Sequence, residues 1–251
     1  MLPLISVIVP AYNEGLYIET TLRSLSNQSM DRQVYEIIVV DGSSNDETVD
    51  IASCYADKVI VQSGKGIGQA RNEGAASSRG EILVHTDSDV LAPHAWLERL
   101  YSLMIGGAVA VCGPYYPLEP SLSSSLEFAF MNVSSLLHRF GVVVTRGTNT
   151  VVRKRAFHQV GGYSDIPVLD DVELGYRLKR VGKVVCSQEA ATWTSTRRFR
   201  KNGFLATNLS WIKGDMIIMT GWRLREDYAR QDYLHTAVNR QCLKSRTGTS
   251  C

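Results

Sequence analysis

The chain has 251 residues, of which 44% are hydrophobic and 21% are charged, and its formal net charge is +2. This composition predicts one domain with a sizeable core and argues against a disordered chain. The five cysteines are scattered without a Cys-x-x-Cys spacing, which favours reduced thiols and a cytoplasmic location over disulfides or a zinc site. The start of the chain lacks the basic segment of a secretory signal, and no apolar run reaches the roughly 20 residues of a membrane span.

Positive charge is concentrated toward the end of the chain. From Trp193 onward there are 11 Lys or Arg residues against four Asp or Glu residues, with aromatic and aliphatic residues interleaved. This pattern is typical of an interfacial helix beside anionic lipid, and a helix that covers the sheet or forms a homodimer explains it equally well. We therefore keep peripheral attachment to the inner face of a membrane as one alternative, and we expect no nucleic-acid partner.

In chain order, apolar runs alternate with helical patterns. Strands are predicted at residues 4–10, 35–40, 59–61 and 81–85, and helices at 16–25, 48–54, 69–76 and 96–105. This alternation predicts an α/β fold with a Rossmann-like, mostly parallel open sheet and helices on both of its faces.

The alternation loosens after a short predicted strand at residues 108–112. A proline-rich loop precedes a long amphipathic helix predicted at 122–140, for which core packing is favoured over a membrane surface. A strand predicted at 142–152 contains the triplet Gly147-Thr148-Asn149, and an acidic helix is predicted to begin near Asp170 and to run to residue 181.

Two carboxylates one residue apart follow the fourth predicted strand. They belong to Asp87 and Asp89, which flank Ser88. Ligands of open α/β sheets bind outside the carboxyl ends of the strands, and hard oxygen ligands there suit Mg²⁺ or Mn²⁺ shared with phosphate groups. A turn that caps a helix is the competing interpretation.

Polar residues also follow the first two strands. Pro10 is expected to end the first strand's ladder, and Tyr12 offers a flat ring on which a base or ribose can rest. Asp41 can accept hydrogen bonds from a base or a ribose hydroxyl, while Asp46 is expected to cap the next helix. Arg71 is a weaker candidate for the same region, with a surface ion pair as an equal alternative.

The adjacent carboxyl groups of Asp170 and Asp171 are candidates for acid–base chemistry. Mutual repulsion and the dipole of the helix that they begin can tune their proton affinities. Simple helix capping is the competing interpretation, and the residues alone favour it slightly.

Five motifs in this order resemble glycosyltransferase family 2. They are Pro10-Ala11-Tyr12-Asn13-Glu14, Val40 to Thr48, Gln69-Ala70-Arg71-Asn72, Thr86-Asp87-Ser88-Asp89 and Asp170-Asp171-Val172-Glu173-Leu174. The resemblance spans residues 4 to about 182 and implies a GT-A fold, which we expect at residues 1–203, with a nucleotide-sugar half at 1–115 and an acceptor half at 116–203. The basic, aromatic residues 204–251 are expected to form a helical extension. The resemblance also implies transfer of a sugar from a nucleotide-sugar donor with inversion, and we expect a UDP- or GDP-linked donor and a glycan or lipid-linked acceptor.

The resemblance also assigns roles to individual residues. Asp171 would be the catalytic base, with Asp170 beside it, and Asp87 and Asp89 would hold the divalent ion. The donor-binding residues would be Pro10, Ala11, Tyr12, Glu14, Asp41, Arg71, Asp87 and Ser88. Gly147, Thr148 and Asn149 would lie on the acceptor side, and Arg197 and Arg198 would contact the diphosphate.

Three other functions remain open on sequence grounds. A retaining transferase of similar fold, making a glycerate or lipid glycoside, would use the same metal-binding residues. A nucleotidyltransferase usually has a basic glycine-rich loop after its first strand, which this chain lacks. A non-catalytic sugar-nucleotide-binding module would have no need for both acidic clusters.

Overall fold

The computed structural model describes residues 3–136, 145–166 and 169–197. Several expectations fall outside these ranges. They concern Arg198, the last residues of the helix predicted at 122–140, the first residues of the strand predicted at 142–152, and the extension at 204–251.

The described residues form ten strands and seven α-helices. The strands are β1 (Ile5–Ala11), β2 (Tyr35–Asp41), β3 (Lys58–Val61), β4 (Ile82–Thr86), β5 (Val90–Leu91), β6 (Ala110–Cys112), β7 (Tyr115–Pro117), β8 (Asn149–Arg153), β9 (Val184–Cys186) and β10 (Thr192–Thr194). The helices are α1 (Ile18–Ser26), α2 (Thr48–Ser53), α3 (Ile67–Ser77), α4 (Trp96–Ile105), α5 (Leu122–Leu136), α6 (Lys154–Gln159) and α7 (Asp170–Lys179).

Seven strands form one sheet in the order β3-β2-β1-β4-β8-β6-β9. All neighbours pair in parallel except β8, which runs antiparallel to both β4 and β6. The predicted α/β fold with a mostly parallel open sheet is therefore confirmed. Because β8 is reversed, its first residue, Asn149, pairs with Thr86 at the carboxyl end of β4.

Helices cover both faces of the sheet, as predicted. One core joins α1 and α4 to the β1 and β2 residues Val7, Val9, Ile37 and Val39. The opposite core joins α3, α6 and α7 to Ile8, Ile38 and Val40 of the same two strands. Strands buried on both faces require continuous apolar runs, which explains the unbroken valine and isoleucine content of β1 and β2.

A second, smaller sheet lies beside the carboxyl end of β4. Its order is β5-β10-β7, with β10 antiparallel to β5 and parallel to β7. β5 begins directly after Asp89, and β10 ends three residues before Arg197. The pairing of β10 with β5 therefore brings the residues just before Arg197 next to Asp89.

Two local predictions need correction. Pro10 does not end the ladder between β1 and β2, which continues to the pair Ala11 and Asp41, although pairing with β4 ends at Ile8. The missing N–H of a proline affects only one side of a strand. The strand predicted at 142–152 begins only at Asn149, because the Asn149 N–H donates to the Arg146 carbonyl and closes a turn that holds Gly147 and Thr148.

None of the described helices is long and apolar enough to cross a membrane. Within the same residues Cys54, Cys112 and Cys186 take part in no disulfide bond. Cys242 and Cys251 lie outside them.

Close packing of α3 on the sheet depends on Gly74. A Cβ atom at this position would lie 2.4 Å from Ile8 Cγ2 and 3.1 Å from Val40 Cγ2. We predict that Gly74→Ala lowers the free energy of unfolding by about 1–3 kcal/mol through overpacking, measured by urea denaturation. Gly106→Ala is the matched control, since its Cβ would approach nothing closer than 3.5 Å. An equal loss in both variants would contradict this account.

Candidate functional site

The loops after β1 and β2 are locked together by hydrogen bonds. Ser44 donates to both carboxylate oxygens of Asp41, through its hydroxyl at 2.5 Å and its N–H at 2.9 Å. The Asn13 N–H donates to the same hydroxyl, and the Asn13 side chain accepts from the Asn45 N–H. Asn13 and Ser43 both adopt positive φ values, 55° and 67°. Such backbone strain is typical of functional loops.

Pro10, Ala11 and Tyr12 lie at this edge of the sheet, where β1 ends. The Tyr12 ring lies against Gly42, because a Cβ on that glycine would be 3.3 Å from Tyr12 Cδ2. Asp46 lies two residues before α2 and accepts from the Thr48 N–H at 3.2 Å, whereas the N-cap position itself belongs to Glu47. A buried Asp41 and an adjacent aromatic ring thus form one edge of the candidate site.

Asp87 is held from two directions. Arg71 donates to its Oδ1 at 2.8 Å, and the Thr148 hydroxyl donates to its Oδ2 at 2.9 Å. The carbonyl of Ser88, the next residue, accepts from Thr21 of α1 at 2.8 Å. Asp87, which the sequence analysis predicts on the donor side, is therefore in direct contact with Thr148, which it predicts on the acceptor side.

Arg71 is buried and bridges two acidic residues. One guanidinium nitrogen lies 2.8 Å from Asp87 and another lies 3.4 Å from Asp170. The guanidinium also lies over the Tyr163 ring, 5.2 Å from its centroid. A Cβ on Gly147 would come within 2.1 Å of the Arg71 guanidinium, so a side chain there would displace Arg71 from this position. The structure places Arg71 inside the protein, where it joins β4 to the helix that begins at Asp170.

Asp171 faces the turn before β8. The Gly147 N–H donates to its Oδ2 at 2.7 Å, and the Val172 N–H donates to its Oδ1 at 2.8 Å. The Thr145 hydroxyl donates to its backbone carbonyl. Unlike its neighbour, the Asp171 side chain is only partly buried.

Asp170 has a different environment. It is buried beside Arg71, and burial raises the pKa of Asp170 to about 6, although Arg71 opposes the shift. Leu169, which precedes it, adopts a left-handed conformation with φ of 60°. The chain therefore directs the two neighbouring carboxyl groups into different surroundings.

Asp89 and Glu14 share one cation, Arg197. The Arg197 guanidinium makes two hydrogen bonds with Glu14, at 2.6 and 2.5 Å, and its Nε lies 3.0 Å from Asp89 Oδ2. It also lies over the Tyr17 ring, 4.6 Å from its centroid. Burial raises the pKa of Glu14, and the contact with Arg197 opposes that rise.

Asn149 differs from the other two members of its triplet, because its side chain is fully buried. Its amide donates to the carbonyls of Pro114 and Ala190, at 3.1 and 2.6 Å. Its oxygen accepts from the Trp96 indole at 3.1 Å. Asn149 therefore fixes the small sheet to the large one, and Gly147 and Thr148 are the members that adjoin the acidic residues.

Sequence reasoning did not identify two residues beneath the site, His85 and Tyr163. Their rings are 5.1 Å apart and nearly perpendicular, and His85 has no hydrogen-bond partner among the described residues. Burial lowers the pKa of His85 to about 3, so the ring stays neutral. The only signal in the sequence was a polar residue, His85, inside an apolar strand. This signal does not show that Tyr163 would pack against it.

The carboxylate oxygens of Asp89 and Glu14 are suitable ligands for a divalent cation. Within the described residues no three His, Cys, Asp or Glu side chains form a complete metal cage. However, the hard oxygens of Asp89 and Glu14 already converge on one positive group, Arg197. A site with few protein ligands is typical of Mg²⁺, which usually takes its remaining ligands from phosphates and water.

The candidate site therefore comprises the carboxyl ends of β1, β2 and β4, the turn before β8 and the start of α7. A separate surface depression of about 560 Å³ lies between α1 and the segment after β5 and contains none of the predicted site residues.

The chain is similar in sequence to known proteins. Residues 6–160 match the family model of glycosyl transferase family 2. The chain is 27% identical over 250 residues to the "Probable glycosyltransferase YdaM" of Bacillus subtilis strain 168, which covers 87% of this chain and 56% of that protein. It is 26% identical over 195 residues to the beta-monoglucosyldiacylglycerol synthase of Trichormus variabilis, with coverages of 70% and 41%. The chain thus spans about half the length of these relatives.

Solved structures share the fold. The mannosyltransferase PcManGT from Pyrobaculum calidifontis, in complex with GDP-Man and Mn²⁺, aligns with a TM-score of 0.63 and 22% identity, covering 78% of this chain and 57% of that one. S. aureus TarS 1–349 in complex with UDP-GlcNAc aligns with a TM-score of 0.62 and 18% identity, covering 78% and 59%. Because the family model spans more than half of the chain, this chain belongs to glycosyltransferase family 2.

Proposed function

We propose that this chain transfers a hexosyl group from a nucleotide-sugar donor to an acceptor hydroxyl, with inversion and with a divalent cation. The observation that carries the proposal is that Asp87 and Asp171 both contact the Gly147–Thr148 turn, at the edge of the sheet where Asp89 also lies. An inverting displacement needs a donor site and a base on opposite sides of one reacting carbon. The turn shared by Asp87 and Asp171 supports such a placement.

The donor would bind at the carboxyl ends of β1 and β2. The Tyr12 ring would stack on the base or ribose, beside the loop formed by Pro10 and Ala11, and Asp41 would accept from the nucleoside. Relatives in structure bind UDP-GlcNAc and GDP-Man, which supports a UDP- or GDP-linked donor. Ser88 and Asp87 would flank the ribose.

Asp171 is the better candidate for the base than Asp170. A general base must reach the proton that it removes. Asp170 is engaged by Arg71 inside the protein, whereas Asp171 is partly exposed and positioned by two backbone N–H groups. Asp171 would take the proton of the acceptor hydroxyl as its oxygen attacks the anomeric carbon.

Asp89, with Asp87 near the ribose, would hold Mn²⁺ or Mg²⁺. The cation would supply Lewis-acid stabilisation of the charge that grows on the departing nucleoside diphosphate. Arg197 and Arg198 would contact the same diphosphate, since guanidinium groups suit bidentate phosphate contacts.

The acceptor would be a glycan or a lipid-linked molecule. One relative is named for a glucosyldiacylglycerol product, and the basic, aromatic segment at 204–251 is compatible with a membrane surface. Flotation with anionic vesicles, comparing the whole chain with one truncated after Gly203, tests the membrane alternative.

A retaining transferase is the nearest alternative. Proton NMR of the first-formed product distinguishes the two, because an α-linked donor gives a β-linked product only if the anomeric centre inverts. We predict inversion, since the proposed base, Asp171, has a partly exposed carboxylate that can reach an acceptor. An α-linked first product would contradict the proposed displacement.

Two substitutions should separate catalysis from donor binding. We predict that Asp171→Asn keeps donor binding but lowers turnover by about 10²- to 10⁴-fold, the usual contribution of a general base. Asp89→Ala should instead abolish the stabilisation that a UDP- or GDP-sugar gives in the presence of Mn²⁺, measured as a shift in melting temperature. Unchanged turnover and unchanged donor binding in both variants would favour a non-catalytic binding module.

The pKa of Asp170 gives a pH-dependent prediction. Burial raises this pKa from its ordinary 3.8 to about 6. The folded chain therefore binds this proton more tightly than the unfolded chain, so the associated stability is complete below about pH 4 and lost as the pH rises through about 6. Asp170→Asn cannot titrate, and from pH 4 to 7 we expect wild-type stability to fall relative to it by on the order of 2 kcal/mol. Denaturant unfolding at both pH values measures the difference, and a gap that does not change with pH would contradict it.

A further inference from the structure

The Arg197 guanidinium contacts three other side chains. It makes a fork of two hydrogen bonds to Glu14, an ion pair to Asp89, and a stacking contact over Tyr17. It follows β10 closely, and the Ser195 N–H donates to the backbone carbonyl of Asp89 at 3.1 Å. The segment after β10 is thereby fastened to the residue that is the candidate metal ligand.

We propose that Arg197 is a built-in competitor of the divalent cation, bound to Asp89 and Glu14 in the donor-free protein and transferred to the donor diphosphate when cation and donor bind together. The inference rests on the proposed function, because it assumes that Asp89 binds a cation. It goes beyond that function by coupling cation binding to donor binding through one side chain.

The two cations would compete for the same carboxylate. Arg197 Nε lies 3.0 Å from Asp89 Oδ2. A Mg²⁺ ion bound to the same oxygen at about 2.0–2.1 Å would stand beside the guanidinium, and the two positive charges would repel each other. This repulsion makes the binding of one cation to Asp89 oppose the binding of the other.

Once a donor is bound, the displaced Arg197 guanidinium can bind the donor diphosphate. A diphosphate offers oxygens that match the fork of an arginine, as the Glu14 carboxylate does in the donor-free state. Glu14 would then be released toward the cation, where its charge compensates part of the added positive charge. The exchange keeps every carboxylate paired before and after binding.

A measurable consequence is positive coupling between the cation and the nucleotide. Mn²⁺ alone must displace Arg197 and binds weakly, whereas Mn²⁺ with a nucleoside diphosphate provides Arg197 with a new partner. Coupling of this kind is reciprocal and typically amounts to about 5- to 150-fold in affinity. Arg197 is therefore a positioning residue whose effect appears in cation affinity and not only in turnover.

The test measures Mn²⁺ binding to the full chain without any sugar donor, by calorimetry. We expect Arg197→Gln to bind Mn²⁺ about tenfold or more tightly than the wild type, and to bind UDP or GDP more weakly when Mn²⁺ is present. Arg79→Gln is a control, because it removes an arginine of similar ion-pair length, 2.8 Å to Glu36, away from the site. A diphosphate contact without competition would weaken nucleotide binding and leave Mn²⁺ affinity unchanged, which would overturn the proposal.

A second pair of variants keeps all charges and covers the case in which Arg197→Gln fails to fold. Tyr17→Leu removes the ring beneath the guanidinium, whereas Tyr17→Phe keeps it. Loss of the cation–π contact should make Mn²⁺ binding about fivefold tighter in the leucine variant only. Equal Mn²⁺ affinity in both, or no Mn²⁺ binding in any variant, would overturn the exchange. Turnover is assayed separately, so a chain that exchanges Arg197 for Mn²⁺ but transfers no sugar would refute only the proposed transferase activity.

Discussion

The buried guanidinium of Arg71 is the contact on which the rest of the site depends. It lies between Asp87 at the end of β4 and Asp170 at the start of α7, and so fixes the distance between a strand and a helix that are far apart in sequence. The absence of a side chain at Gly147 is what lets it reach both. Removing one partner of a buried ion pair leaves the other charge uncompensated, which is far more costly than losing a surface pair.

Charge compensation organises the whole edge of the sheet. Carboxylates that approach one another repel, and burial makes this worse because water no longer screens them. Two arginines resolve the problem by each serving two acids: Arg71 joins Asp87 to Asp170, and Arg197 joins Asp89 to Glu14. The Arg71 side chain is deeply buried and belongs to the scaffold, whereas the Arg197 side chain is more accessible and is the one that a ligand can exchange.

The sequence predicts the scaffold better than the contacts. The parallel sheet is predicted by the alternation of helical patterns with continuous apolar runs, which strands buried on both faces, such as β1, β2 and β4, require. Asp41, Asp87 and Asp89 lie at the carboxyl ends of β2 and β4, where the predicted strands end in the sequence. The burial of Arg71 and Asn149 could not be predicted, because it depends on Gly147, Trp96 and the reversed direction of β8, which are fixed only when distant segments pack together.

The residues that contact each other in the candidate site are widely separated along the chain. Thr148 and Asp87 are 61 residues apart, Arg71 and Asp170 are 99 apart, and Arg197 and Glu14 are 183 apart. Contacts of such long range close large loops, and they form late in folding because the entropy of loop closure must be overcome first. During synthesis, the nascent chain would therefore expose an acidic, incomplete edge until Arg197 leaves the ribosome.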